Sequence, residues 1–453
     1  MKRERRFVLS TTHIILLSFL GAILIGSGLL SLPISSADGR AVPYIDALFT
    51  STTATCVTGL VTLPVVSTWS VFGQAVILVL IQIGGLGIIT VMSGVMIALH
   101  RKMSLSDRLL IQDAFNLNTL AGLAAFIKRV IFGTLLVEGI GALICMAVFI
   151  PDFGLRGIWI SIFHSVSAFC NAGIDIISEN SLSEYVTNPL LNLTTCGLII
   201  MGGIGYIVWW DVLRVFKGAR VRRYKMFRYL TLHSKLAITT TLILIFVGAG
   251  WILLFEYNNP LTIGTMSLFD KLQVSLFQSV TTRTAGFASI GQQYLRTPTA
   301  MISMLLMFIG GSPVGTAGGI KTVTLTVLIA ETISAVKKKR QVSLFHRTLS
   351  REVLSKAVAV TGVSFLIFFV ATVLLSATVD ANILDVLYET VSATATVGLT
   401  RGLTATLNLW GKLIVIVTMY LGRVGPISLA LALNITKDSQ NIIKDPMESI
   451  SVG

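Results

Sequence analysis

Long apolar runs and shorter ones alternate along this chain, and the alternation comes round four times. Each round predicts a span, a half-helix, an extended loop and a returning span. The first reads 13–30, 44–55 and 69–99, the second 130–150, 158–169 and 189–210. The third reads 236–255, 268–281 and 299–331, the fourth 357–377, 383–394 and 407–434. A run of about 20 apolar residues crosses a bilayer as a helix, whereas one of roughly 10 to 14 does not.

Every short stretch leads to a glycine. The four segments are Val57-Thr58-Gly59-Leu60, Asn171-Ala172-Gly173-Ile174, Thr284-Ala285-Gly286-Phe287 and Thr396-Val397-Gly398-Leu399, with the glycines 114, 113 and 112 residues apart. So regular a period marks internal repeats. The approach to each glycine repeats as well: Phe49-Thr50-Ser51, Phe163-His164-Ser165, Phe277-Gln278-Ser279 and Tyr388-Glu389-Thr390. The third repeat is one residue shorter between its aromatic and its glycine, which leaves the register near Arg283 open. The fold expected is an all-α polytopic membrane protein of four helix, half-helix, helix repeats (M1–P–M2). Their boundaries are 1–108, 109–228, 229–345 and 346–453, and the four surround one pseudo-fourfold pore.

Composition agrees with that class. The chain is 54% hydrophobic and 12% charged, with mean hydropathy +0.83; a soluble protein carries about 25% charged residues. The first span follows Lys2-Arg3-Glu4-Arg5-Arg6 like a signal peptide, but residues 29–33 offer no small-residue cleavage site, so a retained helix is expected. Net charge is +14, which in a soluble protein would suggest nucleic acid. Here most Lys and Arg fall on one side of the spans, at the N-terminus, 101–108, 128–129, 214–235, 337–356 and the tail. Basic excess marks the cytoplasmic side, so both termini are expected inside and no nucleic-acid partner is expected. The opposite side has an acidic excess, including Asp46, Asp175, Glu179 and Asp385, suited to concentrating cations at an outer mouth or simply to solvating loops. Cys56, Cys145, Cys170 and Cys196 lack metal-ligand spacing and read as buried thiols, and the five histidines form no zinc pattern.

Irregular backbone at membrane depth survives only where protein or water satisfies it. Four such loops gathered on an axis would turn their carbonyls to a shared lumen, where a dehydrated cation replaces the missing donors. Glycine allows φ > 0, so that successive carbonyls align without a Cβ clash. Val57, Thr58, Gly59, Asn171, Ala172, Gly173, Thr284, Ala285, Gly286, Thr396, Val397 and Gly398 are therefore the candidate ion-binding residues. Each loop has one glycine where TVGYG has two, so selectivity is expected to be less strict.

The third returning span is interrupted by Gly310-Gly311-Ser312-Pro313-Val314-Gly315-Thr316-Ala317-Gly318-Gly319-Ile320-Lys321. Gly costs a helix roughly 1 kcal/mol and Pro about 3, so this stretch cannot stay helical. Flanked by apolar residues, it is a candidate gate just cytoplasmic of the ring. Arg423, a costly charge in the fourth returning span, is expected to hydrogen-bond the carbonyls of 310–319 and hold the loop across the pore. Glu389 and Arg283 are a candidate ion pair bracing the ring from behind. Gly84-Gly85-Leu86-Gly87, Gly202-Gly203-Ile204-Gly205, Gly310-Gly311 and Gly422-Arg423 recur in the returning spans, either for close packing or to keep the pathway wide.

An alternating-access carrier usually places several ionisable groups at the midplane in inverted repeats. Here such groups are few and the repeats run in one orientation. No cluster of His, Asp or Cys supports an enzyme, and none is expected.

The four glycine loops, the 310–321 stretch and Leu421-Gly422-Arg423-Val424-Gly425-Pro426 resemble the KtrB branch of the Trk/Ktr/HKT superfamily of potassium transporters, over nearly the whole chain. The resemblance implies a bacterial plasma-membrane potassium-uptake subunit, homodimeric, with a pore in each protomer. It also implies a cytoplasmic RCK (KtrA-type) ring that binds ATP or ADP, with nucleotide on that partner only, and sodium as a frequent stimulating ion. It assigns Gly59, Gly173, Gly286 and Gly398 to a potassium filter and 310–319 to an intramembrane gate faced by Arg423. The related TrkH proteins have two further N-terminal helices, which favours the KtrB branch. The basic loops 214–235 and 337–356 suit a docking partner or lipid headgroups alike. A less selective sodium or ammonium channel stays open beside potassium.

Overall fold

The computed structural model describes residues 11–99, 109, 122–218, 226–339 and 341–425. The expected basic stretches at 2–6 and 101–108, part of the 214–235 loop, and the chain from Pro426 on lie outside these residues.

Four times the chain goes out, turns back and returns. The first repeat is α1 (Thr11–Leu30), pore helix α2 (Tyr44–Cys56) and an inner pair, α3 (Val71–Leu86) and α4 (Ile88–Ala98). The second is α5 (Leu123–Phe153), pore helix α6 (Arg156–Cys170), α7 (Pro189–Gly203) and α8 (Tyr206–Lys217). The third is α9 (Leu232–Glu256), pore helix α10 (Leu268–Thr281), α11 (Thr297–Phe308) and α12 (Thr322–Val336). The fourth is α13 (Arg351–Ser376), pore helix α14 (Ile383–Ala395) and α15 (Leu409–Val424). Among the described residues, β structure is confined to a two-stranded hairpin, Ser343–Leu344 with Arg347–Thr348, and two isolated bridges.

The outer helices α1, α5, α9 and α13 are each long and apolar enough to cross a bilayer. Large apolar side chains such as Phe132, Leu143, Phe246 and Phe369 stay exposed on them, as lipid contact requires. The pore helices are the core. Nearly every side chain from Phe49 to Cys56, and from Tyr388 to Ala395, is buried.

Eight unbroken spans do not form. The inner helix of the first repeat bends by 98° between Leu86 and Ile88, and that of the second by 97° between Gly203 and Tyr206. The bends fall at Gly87 (φ 83°, ψ 133°) and Gly205 (φ 93°, ψ 138°). In the fourth repeat α15 ends at Val424 against Gly425, at φ 93° and ψ 140°. An L side chain is strained at such φ, so all three positions need glycine. These glycines are three residues beyond Gly84, Gly202 and Gly422, and the third repeat has Pro313 three beyond Gly310. The uninterrupted apolar pattern concealed the bends because glycine leaves no polar mark in it.

Glycine contacts seat the pore helices, two each in the first and second repeats and one each in the third and fourth. On its outer-helix side, Ser51 Oγ donates to the Ile23 carbonyl (2.7 Å), Ser165 Oγ to Glu138 (2.6 Å) and Ser279 Oγ to Ile245 (2.8 Å). A Cβ on Gly26, Gly141 or Gly248 would run into these hydroxyls. The fourth repeat replaces this with a Thr372–Thr390 hydroxyl pair at 2.8 Å. On its inner-helix side, a Cβ on Gly84, Gly202 or Gly422 would collide with the carbonyl of Thr55, Phe169 or Thr394. These inner-helix glycines are thus close-packing residues against the last turn of the pore helices.

Candidate functional site

Each pore helix hands over to its glycine segment through a left-handed residue. Val57, Asn171, Thr284 and Thr396 have φ of 54°, 60°, 64° and 52°, and each stands two residues before its glycine. The glycines follow at φ 99°, 64°, 84° and 100°. Position for position the third repeat is in register here; its missing residue is absorbed where α10 ends at Thr281.

The four glycines close a ring. A Cβ on Gly59 would lie 2.5 Å from the Ala172 carbonyl oxygen, and one on Gly173 would lie 2.5 Å from that of Ala285. A Cβ on Gly286 would strike the Val397 carbonyl, and one on Gly398 that of Thr58. Each repeat therefore abuts the next, in chain order, and the fourth returns to the first. The carbonyls of Thr58, Ala172, Ala285 and Val397 all border the glycine of the preceding repeat. Outside the ring opens a cavity of about 540 Å³, lined by the four glycines and by Asp175 and Glu179.

Several acids of the outer side are engaged elsewhere. Asp46 pairs with Lys412 (2.6 Å) and accepts from Thr62 Oγ1. Asp385 pairs with Arg401 Nε (2.6 Å), whose Nη1 donates to the Gln292 carbonyl and ties the fourth repeat to the third. Glu256 accepts from Asn259, Thr262 and the Arg296 amide. Asp175 remains at the cavity; desolvation there raises its carboxyl to about 6, against hydrogen bonds from Ser181 and the backbone that lower it.

Beneath the ring runs the 309–321 segment. Its ends lie side by side, with the Gly310 amide on the Ile320 carbonyl (2.9 Å) and the Thr322 amide on the Gly311 carbonyl (2.9 Å). Its middle rests on the break in the second repeat. The amides of Ser312 and Thr316 donate to the carbonyls of Gly203 (2.8 Å) and Gly202 (3.1 Å), and the Tyr206 amide donates to the Val314 carbonyl (3.1 Å). A helix end leaves such groups unpaired, and buried ones must find partners. Thr316 Oγ1 donates to the Phe169 carbonyl (3.0 Å) and to Asn171 Oδ1 (3.1 Å), while the Gly318 amide donates to Thr284 Oγ1 (3.2 Å). A Cβ on Gly318 would strike Thr396. The segment thus crosses under three repeats, against Asn171, Thr284 and Thr396.

Arg423 completes the enclosure. Its Nη1 donates to the Thr316 carbonyl and its Nη2 to the Gly84 carbonyl of the first repeat, each at 2.6 Å. Lys321 folds back to the Ala317 carbonyl at 2.6 Å. Pro313 and Gly315 lie at the contact with the second repeat, and the positive φ of Gly319 (64°) turns the chain toward Ile320.

The expected ion pair between Arg283 and Glu389 does not form. Arg283 lies below the ring, with Nη2 on the Gly310 carbonyl (3.2 Å) and on Thr241 Oγ1 (3.4 Å). Glu389, near the middle of α14, accepts from Thr400 (2.6 Å) and Thr404 in the segment beyond the ring. Glu389 thus faces the segment beyond the ring, and Arg283 faces the loop beneath it. Sequence reasoning also missed Arg401, which stands outside any span and carries no motif.

The whole chain resembles known cation transporters. A family model described as TrkH, cation transport protein, matches residues 9–445. The Ktr system potassium uptake protein B of Bacillus subtilis is 39% identical, with 97% of this chain and 96% of that protein covered. The potassium/sodium uptake protein NtpJ of Enterococcus hirae is 38% identical over 100% and 99%. The potassium transporter TrkH of Vibrio parahaemolyticus superposes with a TM-score of 0.76 at 19% identity, covering 96% of this chain and 87% of that one; this likeness concerns the fold alone.

Proposed function

The chain belongs to the TrkH family of cation transport proteins, and from that premise we propose that it is the potassium-translocating subunit of an uptake system. Potassium passes the ring of Gly59, Gly173, Gly286 and Gly398, where the carbonyls of the four segments replace its water. The 310–319 loop, held by Arg423, is the gate. The observation that carries this reading is the ring itself, in which every glycine borders the carbonyl of the next repeat. In this reading the Arg423 guanidinium, the Lys321 side chain and the packed loop obstruct the path below the ring and close the pore. Asn171, Thr284 and Thr396 form the inner rim on which the loop rests.

The system name of the Bacillus relative, together with the family resemblance, supports a second component. In this reading it is an RCK ring that binds ATP or ADP on the cytoplasmic side, below a homodimer in the plasma membrane. The relative NtpJ, a potassium/sodium uptake protein, favours a second reading, in which sodium shares the path. Rubidium uptake into potassium-loaded proteoliposomes, with and without the ring, decides between them. Uptake blocked by external potassium and not by sodium, and relaxed by Gly286→Ser, is the expected result. Equal block by both ions establishes the shared path, and flux indifferent to Gly286→Ser would move the pathway elsewhere.

A further inference from the structure

Each pore helix carries one buried hydroxyl that turns back onto the segment it leads into. Thr53 Oγ1 accepts from the Gly59 amide at 2.9 Å, and Ser392 Oγ accepts from the Gly398 amide at 3.0 Å. Ser167 Oγ takes the next peptide, accepting from the Ile174 amide at 3.1 Å and donating to the Ile174 carbonyl at 2.5 Å. Thr281 Oγ1 donates to the Phe287 carbonyl at 2.7 Å. All four are buried, and each contacts the glycine or the residue after it.

In a trans peptide the C=O and N–H of one unit point in opposite directions. Drawing the Gly59 amide back toward Thr53, on the pore-helix side, turns the Thr58 carbonyl the other way, into the ring. Ser392 does the same for the Val397 carbonyl through the Gly398 amide. These are the carbonyls that a Cβ on Gly398 or Gly286 would strike, so they do border the ring. The glycines permit this geometry without holding it: at φ 99° and 100°, with no Cβ, they leave the preceding peptide free to rotate. Some other group has to fix it.

We infer that Thr53 and Ser392 are positioning residues for cation discrimination, their hydroxyls holding the Thr58 and Val397 carbonyls toward the lumen. In the second repeat Ser167 holds the following peptide through the Ile174 amide, and in the third Thr281 holds the Phe287 carbonyl, one peptide further on. In the first and fourth repeats the orientation of the ring carbonyl is therefore set from behind, by a side chain that no ion touches. A carbonyl released from its hydroxyl swings away, and the ring then tolerates a smaller ion that keeps more of its water. This inference rests on the filter reading above.

The test is rubidium uptake into proteoliposomes, reading the potency of sodium as a competitor relative to potassium. The variants are Ser392→Ala, Thr53→Val, Ser392→Thr and Gly286→Ser. One neutral hydrogen bond corresponds to a factor of roughly two to ten in an equilibrium. Ser392→Ala and Thr53→Val should each raise the relative potency of sodium by about that factor, and Ser392→Thr should keep the native ratio. If Ser392→Ala does not accumulate in the membrane, Thr53→Val reads the same bond in the first repeat. A native ratio in the Ala and Val variants, with Gly286→Ser altered, overturns the inference and leaves the filter standing. A shift in Ser392→Thr equal to that in Ser392→Ala also overturns it, since packing and not the hydroxyl would then be responsible. A native ratio in all four, Gly286→Ser included, removes the filter reading itself.

Discussion

Replacing Arg423 by alanine should open the pore. The guanidinium makes two charge-assisted hydrogen bonds, to the Thr316 carbonyl on the loop and to the Gly84 carbonyl on the first inner helix. Such a bond contributes about 1.5–3 kcal/mol. Only the bond to Thr316 has to break when the loop withdraws, because the Gly84 partner is on another element. A perturbation shifts an equilibrium only by its difference between the two states. The closed state therefore loses about 1.5–3 kcal/mol, and the open fraction rises roughly ten- to a hundredfold. Removal of the positive charge also favours cation entry, and Arg423→Lys separates the two effects: it keeps the charge, but a single ammonium does not span both carbonyls. Initial rubidium uptake, without the cytoplasmic ring, measures both variants. Expected is a large rise for alanine and a smaller one for lysine. Basal uptake within a factor of about two of native in intact Arg423→Ala, against the tenfold minimum worked from the bond, would refute the latch. A lysine variant as tight as native would assign the effect to charge alone.

Two further outcomes follow from other contacts. Gly202→Ala should lower thermal stability by about 1–3 kcal/mol, the usual cost of overpacking, because its Cβ would enter the Phe169 carbonyl and lie 2.7 Å from Thr316 Oγ1. Gly197→Ala in the same helix meets nothing within 4 Å and should be neutral or slightly stabilising, so paired unfolding curves in detergent check the contact. Asp175, with its carboxyl raised to about 6, is largely neutral below that pH and charged above it. Uptake from dilute rubidium should thus rise as external pH passes from 5 to 7, and Asp175→Asn should flatten the profile and leave uptake low throughout.

The repeat architecture was readable because it is written in period. Four apolar alternations and four glycines recur at nearly constant spacing, and the pore-helix boundaries follow from them, while the interruption at 310–321 follows from its own glycines and Pro313. The bends at Gly87 and Gly205 were not readable from hydropathy, since a glycine among leucines and isoleucines preserves an apolar run while ending a helix. Their trace lay instead in the Gly-x-x-Gly spacing, where the first glycine admits a carbonyl and the second adopts positive φ. Arg283 and Glu389 show a different limit. Their places in neighbouring repeats suggested a pair, but pairing depends on height along the pore helix. Glu389 is near the middle of α14 and Arg283 is past the end of α10.

At the position held by Gly85, Gly203 and Gly311 in the other inner helices, the fourth has Arg423. Among the described residues the long loop belongs to the third alone, and its carbonyl seat, Gly202 and Gly203, belongs to the second. Four identical subunits would bring four loops and four arginines to the axis. Joining the quarters in a single polypeptide removes that constraint: each can vary alone while the carbonyl ring stays common to all. If the loop is the plug and Arg423 the latch that we propose, one of each per conduit is a stoichiometry that a true fourfold assembly is denied by its own symmetry.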